Sequence, residues 1–410
     1  MNKSMRILLV TQHFPPEKGA VRRLYEFASF FKRQGHDVSI LTAMPNYPDG
    51  VVPAKYKGKF FARETMNGIR VYRSFVLPAS NAHPQRRMVG FITFLVSSLI
   101  NSFRIRGKFD LILASSPPVT SPLIGYILSR FRRTKLILEI RDLQPESGEQ
   151  FGNLKKSIFT ELIKKVMRFL YRKADHVVCV TEGIESWMRN IGIPENRLTT
   201  IKSGVGQDFI DSHSNGIRKK FGWEDKFLVL YAGTLGWAHS LETVVEAARY
   251  LTDQADINFI FVGDGHKRKS LEEMTRKYSL NNISFIGVQP LESIPYFLMA
   301  SDVLIESLKE VPITTGTLPC KLFEYMASGR PILLGSHGGE AVRELEKAGG
   351  ALTFSARDPE QLAAVIRALY HKEIDGEGLG KKYHEYVKRY HTREIWAQKY
   401  LDLIGKINGS

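Results

Sequence analysis

The sequence lacks most of the short motifs that mark nucleotide-dependent and hydrolytic enzymes. Its 410 residues contain no Walker loop, no G-x-S-x-G nucleophile elbow and no H-E-x-x-H zinc motif. They also contain no Asp-x-Asp pair, which argues against a divalent-metal diphosphate site. Residues 263–265 read G-D-G, but the G-x-G-x-x-G fingerprint of dinucleotide-binding domains is absent. We therefore expect no metal site and no required cofactor.

Cysteine and long apolar runs are scarce as well. Cys179 and Cys320 are far apart in the chain and form no metal-ligand spacing, which favours a reduced, cytosolic setting. The first apolar run, 7–11, is too short for the apolar core of a signal peptide. The sixteen uncharged residues 88–103 fall short of the roughly 20 that a membrane-spanning helix needs. We interpret them as a buried crossover helix, with an interfacial helix as the alternative.

Positive charge is concentrated in the first half of the chain. Residues 1–200 contain 32 Lys and Arg against 15 Asp and Glu, a net charge of +17, whereas the remainder carries −1. Such an excess attracts phospholipid, polyphosphate or nucleic acid. The segment 157–173 predicts a helix whose apolar face covers the sheet and whose basic face meets anionic lipid headgroups. The apolar residues are Ile158, Phe159, Leu162, Val166, Phe169 and Leu170, and the basic ones are Lys164, Lys165, Arg168 and Arg172.

Apolar, β-branched runs alternate with helical segments along the whole chain. The first series comprises 7–11, 38–42, 69–75, 111–114, 135–140 and 176–180, and the second comprises 227–232, 257–262, 283–286, 303–306, 331–334 and 351–354. This alternation predicts an α/β fold of two doubly wound, Rossmann-like domains with parallel sheets, facing each other across a cleft. We place the domains at 1–200 and 201–385, and expect 386–410 to form a helix that crosses back to the first domain.

The stretch 316–331, GTLPCKLFEYMASGRP, carries the most chemical information. It predicts a short helix entered through a turn at Gly316 and Thr317, whose first backbone N–H groups form an anion site. Lys321 adds a cation, and Glu324, one helical turn on, can accept hydrogen bonds from a diol. The pattern indicates a nucleotide, with phosphate at the helix start and ribose next to Glu324. The alternative is an ordinary strand-connecting helix with a solvated Glu324.

Polar and glycine-rich loops follow several predicted strands, where ligands bind in parallel sheets. The candidates are His13, Glu17 and Gly19 after the first run, Asp142 in 141–146, Thr234 and His239 in 233–240, and Arg268 in 263–268.

The ordered combination of these segments resembles a known family. Seven segments are similar to those of retaining glycosyltransferases of the GT-B fold, in the large family four group. They are RILLVTQHFPPEKGAVRR, EIRDLQPES, YAGTLGWAHSLETVVEAA, FVGDGHKRKSLEEM, ISFIGVQPLESIPYFLMASDVLIESL, KLFEYMASGRPIL and GSHGGEA. Within that group the chain is most similar to bacterial capsule and O-antigen transferases of the N-acetylfucosamine-transferring type. Those enzymes carry both an Arg-Asp-x-x-Pro-Glu-Ser segment and a Lys-Leu-x-Glu-Tyr segment.

The resemblance implies roles for individual residues of the donor site. Glu324 would bind the donor ribose, Gly19 would face the diphosphate, and Gly287 with Val288 would lie next to the base. Gly316, Thr317 and Leu318 would meet the diphosphate or the donor sugar.

The sequence departs from the family pattern at three positions. Gly316 replaces the first of two glutamates that many members carry, while Thr234 and His239 stand where an Arg and a Lys are common. The diphosphate charge must therefore be met by other groups, for which Lys321, Arg268, Lys202 and His239 are the candidates. Asp142, His13 and Glu17 are the candidates for orienting the acceptor or the donor hydroxyls in catalysis.

The resemblance implies transfer of a hexose, which we expect to be N-acetylated, from a UDP-sugar to a polyprenyl diphosphate-linked saccharide, in the synthesis of capsule or O-antigen. We expect a cytoplasmic protein that is peripherally bound to the anionic inner face of the membrane. One alternative is an enzyme like UDP-N-acetylglucosamine 2-epimerase, which would change the UDP-sugar without any acceptor. A nucleic-acid-binding protein is the other, but the chain has no RNA or DNA motif and no aromatic stacking pattern, so we expect no nucleic acid partner.

Overall fold

The structure, a computed structural model, describes residues 4–17, 21–80, 84–152, 154–212, 216–336 and 338–409. The candidate Gly19 lies outside these residues. The chain divides into two compact units. The first comprises Met1–Gly148, Lys155–Ser203 and Arg393–Ser410, and the second comprises Glu149–Leu154 and Gly204–Thr392.

The first unit is built around an eight-stranded sheet in the order β3-β4-β2-β1-β5-β6-β7-β8. Its strands are β1 (Arg6–Val10), β2 (Asp37–Ala43), β3 (Phe61–Met66), β4 (Ile69–Ser74), β5 (Leu111–Ser116), β6 (Lys135–Ile140), β7 (His176–Cys179) and β8 (Leu198–Thr200). Its helices are α1 (Arg22–Arg33), α2 (Pro84–Ser102), α3 (Thr120–Arg132), α4 (Glu146–Gln150, which ends in the second unit), α5 (Ile158–Lys173) and α6 (Glu182–Asn190). All neighbouring strands are parallel except β3, which pairs antiparallel with β4 at the edge.

The second unit contains a six-stranded parallel sheet in the order β11-β10-β9-β12-β13-β14. Its strands are β9 (Phe227–Ala232), β10 (Ile257–Val262), β11 (Ile283–Gly287), β12 (Val303–Ser307), β13 (Ile332–Gly335) and β14 (Leu352–Phe354). Its helices are α7 (Gln207–Ile210), α8 (Ile217–Phe221), α9 (Leu241–Arg249), α10 (Arg268–Lys277), α11 (Ile294–Ala300), α12 (Cys320–Ala327), α13 (Glu340–Lys347), α14 (Pro359–Tyr370) and α15 (Gly376–Tyr390). The last helix of the chain, α16 (Arg393–Gly409), belongs to the first unit.

The predicted fold class is confirmed, because every predicted apolar run forms a strand of one of two largely parallel sheets. The central strands β1, β5, β9 and β12 are buried almost throughout, as expected for sheets covered by helices on both faces. Two strands, β3 and β8, were not predicted. β3 reads FARETM, a half-buried edge strand with three polar side chains, and β8 has only three residues.

The division between the units differs from the predicted one at two places. α15 continues to Tyr390 within the second unit, so the return to the first unit begins at residue 393 rather than 386. There Trp396 and Tyr400 of α16 are buried, and the Tyr400 ring packs edge-on against Phe27 and Phe31 of α1. The short segment Glu149–Leu154 belongs to the second unit, where the Ile313 N–H donates to Gln150 Oε1 over 2.8 Å.

The predicted orientation of α5 is wrong. A capping box between Ser157 and Thr160 starts this helix as the sequence suggests. Its buried face, however, contains Lys164, whose Nζ lies 2.7 Å from Glu161 Oε1, and the apolar residues Phe159 and Phe169 are exposed. Met167, Leu170 and Tyr171 also face inward, so Leu170 is the one residue of the predicted apolar face that is fully buried.

The interpretation of 88–103 as a buried crossover helix holds for only one side of α2. Phe94, Ser97, Ser98 and Asn101 are buried, and the Ser97 hydroxyl donates to the Phe75 carbonyl at the end of β4. The opposite side presents a stripe of exposed apolar side chains, Val89, Ile92, Val96 and Ile100. In the part of the chain that the structure describes, no helix combines the length and the hydropathy needed to cross a bilayer.

Candidate functional site

The C-terminal end of β9 and the helix α12 are held together by a tyrosine. The Ala232 N–H donates to Oη of Tyr325 over 2.8 Å, and the Tyr325 hydroxyl donates to the Ala232 carbonyl over 2.9 Å. Both residues are buried. Next to them, the Tyr231 hydroxyl donates to the Thr234 carbonyl over 2.8 Å and shapes the loop that begins at Gly233. The first turns of α12 are therefore fixed against the strand-end loop in which parallel sheets bind ligands.

A buried carboxylate lies at this junction. Glu306, near the end of β12, has no exposed surface, and its Oε2 is 2.6 Å from Lys321 Nζ. Its Oε1 is 2.9 Å from His239 Nδ1. The Lys321 ammonium also lies 4.0 Å from the centroid of the Tyr231 ring, a cation–π arrangement. We call Glu306, Lys321, His239 and Tyr231 the Glu306 cluster.

The charges of this cluster follow from its geometry. Burial alone would raise the pKa of Glu306, but the Lys321 charge and the contact with His239 lower it to about 2. Burial and the Lys321 charge lower the pKa of His239, against the opposing effect of Glu306. At neutral pH Glu306 is thus a carboxylate and the His239 imidazole next to it is neutral. Of the two residues of this cluster predicted to neutralise a diphosphate, His239 is therefore uncharged, and Lys321 is the basic side chain paired with Glu306.

The glycines of the two neighbouring loops have positive φ angles and leave no room for a side chain. Gly263, after β10, has φ +134°, and a Cβ there would lie 2.0 Å from the Gly233 carbonyl oxygen. Gly233, with φ +146°, leaves room for the Lys321 side chain, because a Cβ there would come within 3.1 Å of Nζ. Side chains at these positions would displace the loop or the ammonium group.

The predicted donor residues of 316–324 have different surroundings. Lys321 and Glu324 are three residues apart on α12 and share a partly exposed face. Gly316 ends the 3₁₀ turn Pro312–Gly316. The Thr317 N–H, expected to donate to a diphosphate, donates instead to the Thr314 carbonyl over 3.1 Å, and the Leu318 side chain is buried in the core.

The remaining second-unit candidates form a separate group at the end of β10 and β11. Arg268 Nε donates to Glu272 Oε1 over 2.8 Å, and a Cβ on Gly287 would lie 3.2 Å from Arg268 Nη1. Val288 follows Gly287 and is exposed. Thr234 is exposed in the loop after β9. Lys202 is not part of this group, because it belongs to the first unit, where its buried Nζ lies 3.1 Å from Glu182 Oε1.

In the first unit, His13 and Glu17 are brought together at the end of β1. His13 Nδ1 is 2.9 Å from Glu17 Oε2, while Glu17 Oε1 accepts the N–H groups of Asn46 and Tyr47 over 2.8 and 2.9 Å. The Glu17 carboxylate is nearly inaccessible, so it orients His13 and the loop after β2. The His13 ring is partly exposed and lies 4.9 Å from the Tyr47 ring.

A pocket adjoins this pair of residues. The residues that line it include His13, Tyr47, Leu77, Arg87 and Phe91. Since Arg87 and Phe91 belong to the first turns of α2, the pocket connects the polar end of β1 with that helix.

Asp142 follows β6 and is half-buried, with Gln144 Nε2 donating to its Oδ2 over 3.1 Å. It is not among the residues that line the pocket next to His13. Among the residues that the structure describes, no three His, Cys, Asp or Glu side chains are grouped so that they could hold a metal ion.

Sequence reasoning missed three residues of the second-unit site, Glu306, Tyr231 and Lys267. Lys267 is buried, and its Nζ donates to the His239 carbonyl over 2.8 Å and lies 2.7 Å from Glu242 Oε1. A signal for Glu306 was present, because a carboxylate inside an apolar central strand must be paired with a cation or hydrogen-bond donors.

Comparison with protein families gives two consecutive matches that together span most of the chain. Residues 18–204 match the glycosyl transferase 4-like domain, and residues 214–390 match the glycosyl transferases group 1.

The chain is also similar to individual proteins of known name or structure. The chain is 24% identical over 335 residues to the putative colanic acid biosynthesis glycosyl transferase WcaI of Escherichia coli K12, covering 79% of this chain and 82% of that one. It is 24% identical over 263 residues to the N,N'-diacetylbacillosaminyl-diphospho-undecaprenol alpha-1,3-N-acetylgalactosaminyltransferase of Campylobacter jejuni, covering 62% and 66%. The crystal structure of Anabaena Alr3699/HepE in complex with UDP and glucose superposes with a TM-score of 0.73 at 16% identity, covering 98% of this chain and 100% of that one.

Proposed function

Because the chain belongs to the group 1 glycosyltransferases of the GT-B fold, we propose that it transfers a hexose from a UDP-sugar to a lipid-linked saccharide, with retention of the anomeric configuration. One observation carries the donor assignment: Lys321 and Glu324 share a face of α12 beside the Gly233 loop, and a buried Glu306 holds the Lys321 ammonium there. The spacing of Lys321 and Glu324 along the helix, and the glycine at the start of the neighbouring loop, suit the binding of a nucleoside diphosphate.

The geometry supports separate contacts to the phosphate and the ribose. Lys321 Nζ carries three N–H bonds, and Glu306 occupies one direction, so the others can donate to diphosphate oxygens. Glu324 lies one helical turn further along and accepts from the ribose hydroxyls. The likeness to HepE, whose crystal structure contains UDP and glucose, supports a uridine diphosphate donor.

In the chemical step we propose front-face displacement. The acceptor hydroxyl attacks the anomeric carbon on the side from which UDP leaves, and its proton passes to the departing diphosphate oxygen. The protein then contributes orientation and charge stabilisation rather than a nucleophile. Lys321 stabilises the negative charge that develops on UDP, and His13, held by Glu17, orients a sugar hydroxyl in the first unit. No metal is required in this scheme.

The acceptor proposal rests on the chemistry of the first unit and on a relative. The Campylobacter jejuni enzyme is named for a diphospho-undecaprenol-linked acceptor. The net charge of +17 on residues 1–200 suits an acceptor that carries a diphosphate and lies in an anionic membrane. We propose accordingly that the protein acts in the synthesis of a surface polysaccharide, at the inner face of the cytoplasmic membrane.

The donor assignment can be tested with Glu324→Ala. Loss of the charge-assisted hydrogen bonds to the ribose should weaken UDP binding by about 1.5–3 kcal/mol, which is roughly 10- to 100-fold in Kd by isothermal titration calorimetry. Glu385→Ala, at an exposed position on α15, serves as the matched control and should leave the Kd unchanged. Wild-type UDP affinity in Glu324→Ala would show that the ribose lies elsewhere.

A further inference from the structure

Three helices on one side of the first unit expose an unusual amount of apolar surface. α2 packs against α3, and α3 packs against α5. Val89, Ile92, Val96 and Ile100 form an exposed stripe along α2 at spacings of three and four residues. Phe103, directly after α2, is 70% exposed. Such a stripe on a helix that is buried on its other side calls for a partner.

The exposed surface continues across the other two helices. The Phe103 ring packs edge-on against Phe131 of α3 at 5.7 Å, although Phe131 is itself 69% exposed. Tyr126 of α3 makes the same contact with Phe169 of α5 at 5.4 Å. Ile158, at the start of α5, is 93% exposed. We call this continuous surface of α2, α3 and α5 the three-helix face.

Positive charge accompanies the apolar side chains. The segments 84–108, 120–135 and 155–173, which contain the three helices, carry sixteen Lys and Arg residues and a single acidic residue, Glu161. Arg87, Arg130 and Lys173 place their charged groups 5.7–5.9 Å from the centroids of aromatic rings on the same helices. Long basic side chains thus lie along the apolar surface with their charges at its edge, as they do at a membrane interface.

We propose that the three-helix face inserts into the headgroup region of an anionic bilayer, with its apolar side chains reaching the acyl chains. Charge complementarity selects this occupant. A second copy of the chain would bring an equally basic surface against the first, whereas a bilayer offers negative headgroups above hydrocarbon. The inference rests on the proposed lipid-linked acceptor, and adds to it the surface that docks and the contribution of apolar burial.

α2 links this surface to the pocket next to His13. Arg87 and Phe91 line the pocket, while Val89 and Ile92 point to the exposed side of the same turns. Docking through α2 would therefore place the pocket close to the headgroups, where the diphosphate and first sugars of a lipid-linked acceptor lie.

The test is co-sedimentation with acceptor-free vesicles, either zwitterionic or containing 30% anionic lipid, at low and high salt. The wild-type protein should bind the anionic vesicles and retain part of this binding at high salt. Phe103→Ser/Phe131→Ser should weaken binding at least tenfold under both conditions. Val51→Ser provides the matched control, since Val51 is also 70% exposed but lies outside the three-helix face, and should bind as wild type does.

Three results would overturn the inference. The first is that Phe103→Ser/Phe131→Ser and wild type bind the vesicles equally well. The second is that high salt abolishes all vesicle binding by the wild-type protein, because the binding would then be purely electrostatic. The third is a wild-type dimer that the double variant converts to a monomer, since the partner would then be a second copy. Thermal unfolding followed by circular dichroism verifies that the first unit of the variant, which contains both substitutions, is folded. UDP affinity, measured on the same samples, reports on the second unit. It also separates the two proposals, because vesicle binding without UDP binding would refute only the donor assignment.

Discussion

Replacing Glu306 by Gln tests whether the Glu306 cluster positions Lys321 for its proposed contact with the donor diphosphate. The amide keeps the shape of the side chain and its place in β12, but it removes the negative charge that faces Lys321 over 2.6 Å. The variant leaves an ammonium group with 15% side-chain exposure beside a neutral amide. We expect it to reduce both the stability of the second unit and the affinity for UDP.

The expected loss of stability can be worked out in two ways. The pKa of Glu306 falls from 4.5 to about 2, which corresponds to roughly 3 kcal/mol in favour of the ionised form. Removing one partner of a buried ion pair typically costs about 3–5 kcal/mol, and the residual exposure of Lys321 favours the lower end. For a unit of this size, about 3 kcal/mol should lower Tm by roughly 6–12 °C.

The assay combines scanning calorimetry with titration of UDP. UDP affinity should fall about tenfold, because Lys321 keeps its charge but loses its position. Adding Lys321→Met to Glu306→Gln should destabilise by less than the sum of the single changes, with a coupling of at least ~1 kcal/mol. Glu344→Gln is the matched control, since Glu344 is another buried glutamate of the second unit and its Oε1 lies 2.8 Å from His391 Nε2. It should lower Tm without changing UDP affinity.

Tighter binding of UDP by Glu306→Gln would refute this reasoning, because Glu306 would then neutralise Lys321 rather than present it. Wild-type Tm together with wild-type UDP affinity would mean that the ion pair contributes nothing.

Two further predictions concern the same junction. The stabilisation by Glu306 should be complete above pH about 4.5 and should decline as the pH falls towards about 2, because folding lowers the pKa of this carboxyl. Calorimetry between pH 5 and 3 should therefore show a steeper loss of Tm for wild type than for Glu306→Gln, and equal slopes would contradict the assignment. Tyr325→Phe removes both hydrogen bonds to Ala232, so it should cost about 1–3 kcal/mol and weaken UDP binding as α12 loosens from β9. Unchanged Tm and UDP affinity would show that packing alone holds the helix.

The sequence predicted the sheets well because buried parallel strands leave a strong pattern. The runs 227–232 and 257–262 are almost entirely apolar, since both faces of each strand are covered. The edge strand β3 escaped prediction because its sequence FARETM has three consecutive polar residues, 63–65, and no residue of the strand is fully buried. Pairing with β4 as an antiparallel hairpin, rather than apolar content, defines it.

Which face of a helix is buried proved harder to predict than the helix itself. In α5 the periodicity of Phe159, Leu162 and Phe169 is clear, but these residues are exposed and Lys164 is buried. Hydrophobic periodicity shows that a helix has an apolar face and a polar face. A prediction from it assumes that the apolar face packs against the core. The prediction of the buried face failed at α2 and α5, and both helices belong to the three-helix face, which we propose docks on a bilayer.

The candidate donor site shows a different gap between what the sequence predicts and what the structure contains. Lys321 and Glu324 can be predicted from one short stretch of sequence, because their spacing of three residues places both on the same face of a helix. Glu306 lies fifteen residues earlier, and only the adjacency of β12 and β9 in the sheet brings it to the same point as His239 and Lys321. Its position on a central strand, bonded on both sides, gives the carboxylate a rigid base that a loop residue would lack. An acid at the end of an apolar strand, followed by a lysine in the first turn of the next helix, therefore predicts a positioned cation as well as a core ion pair.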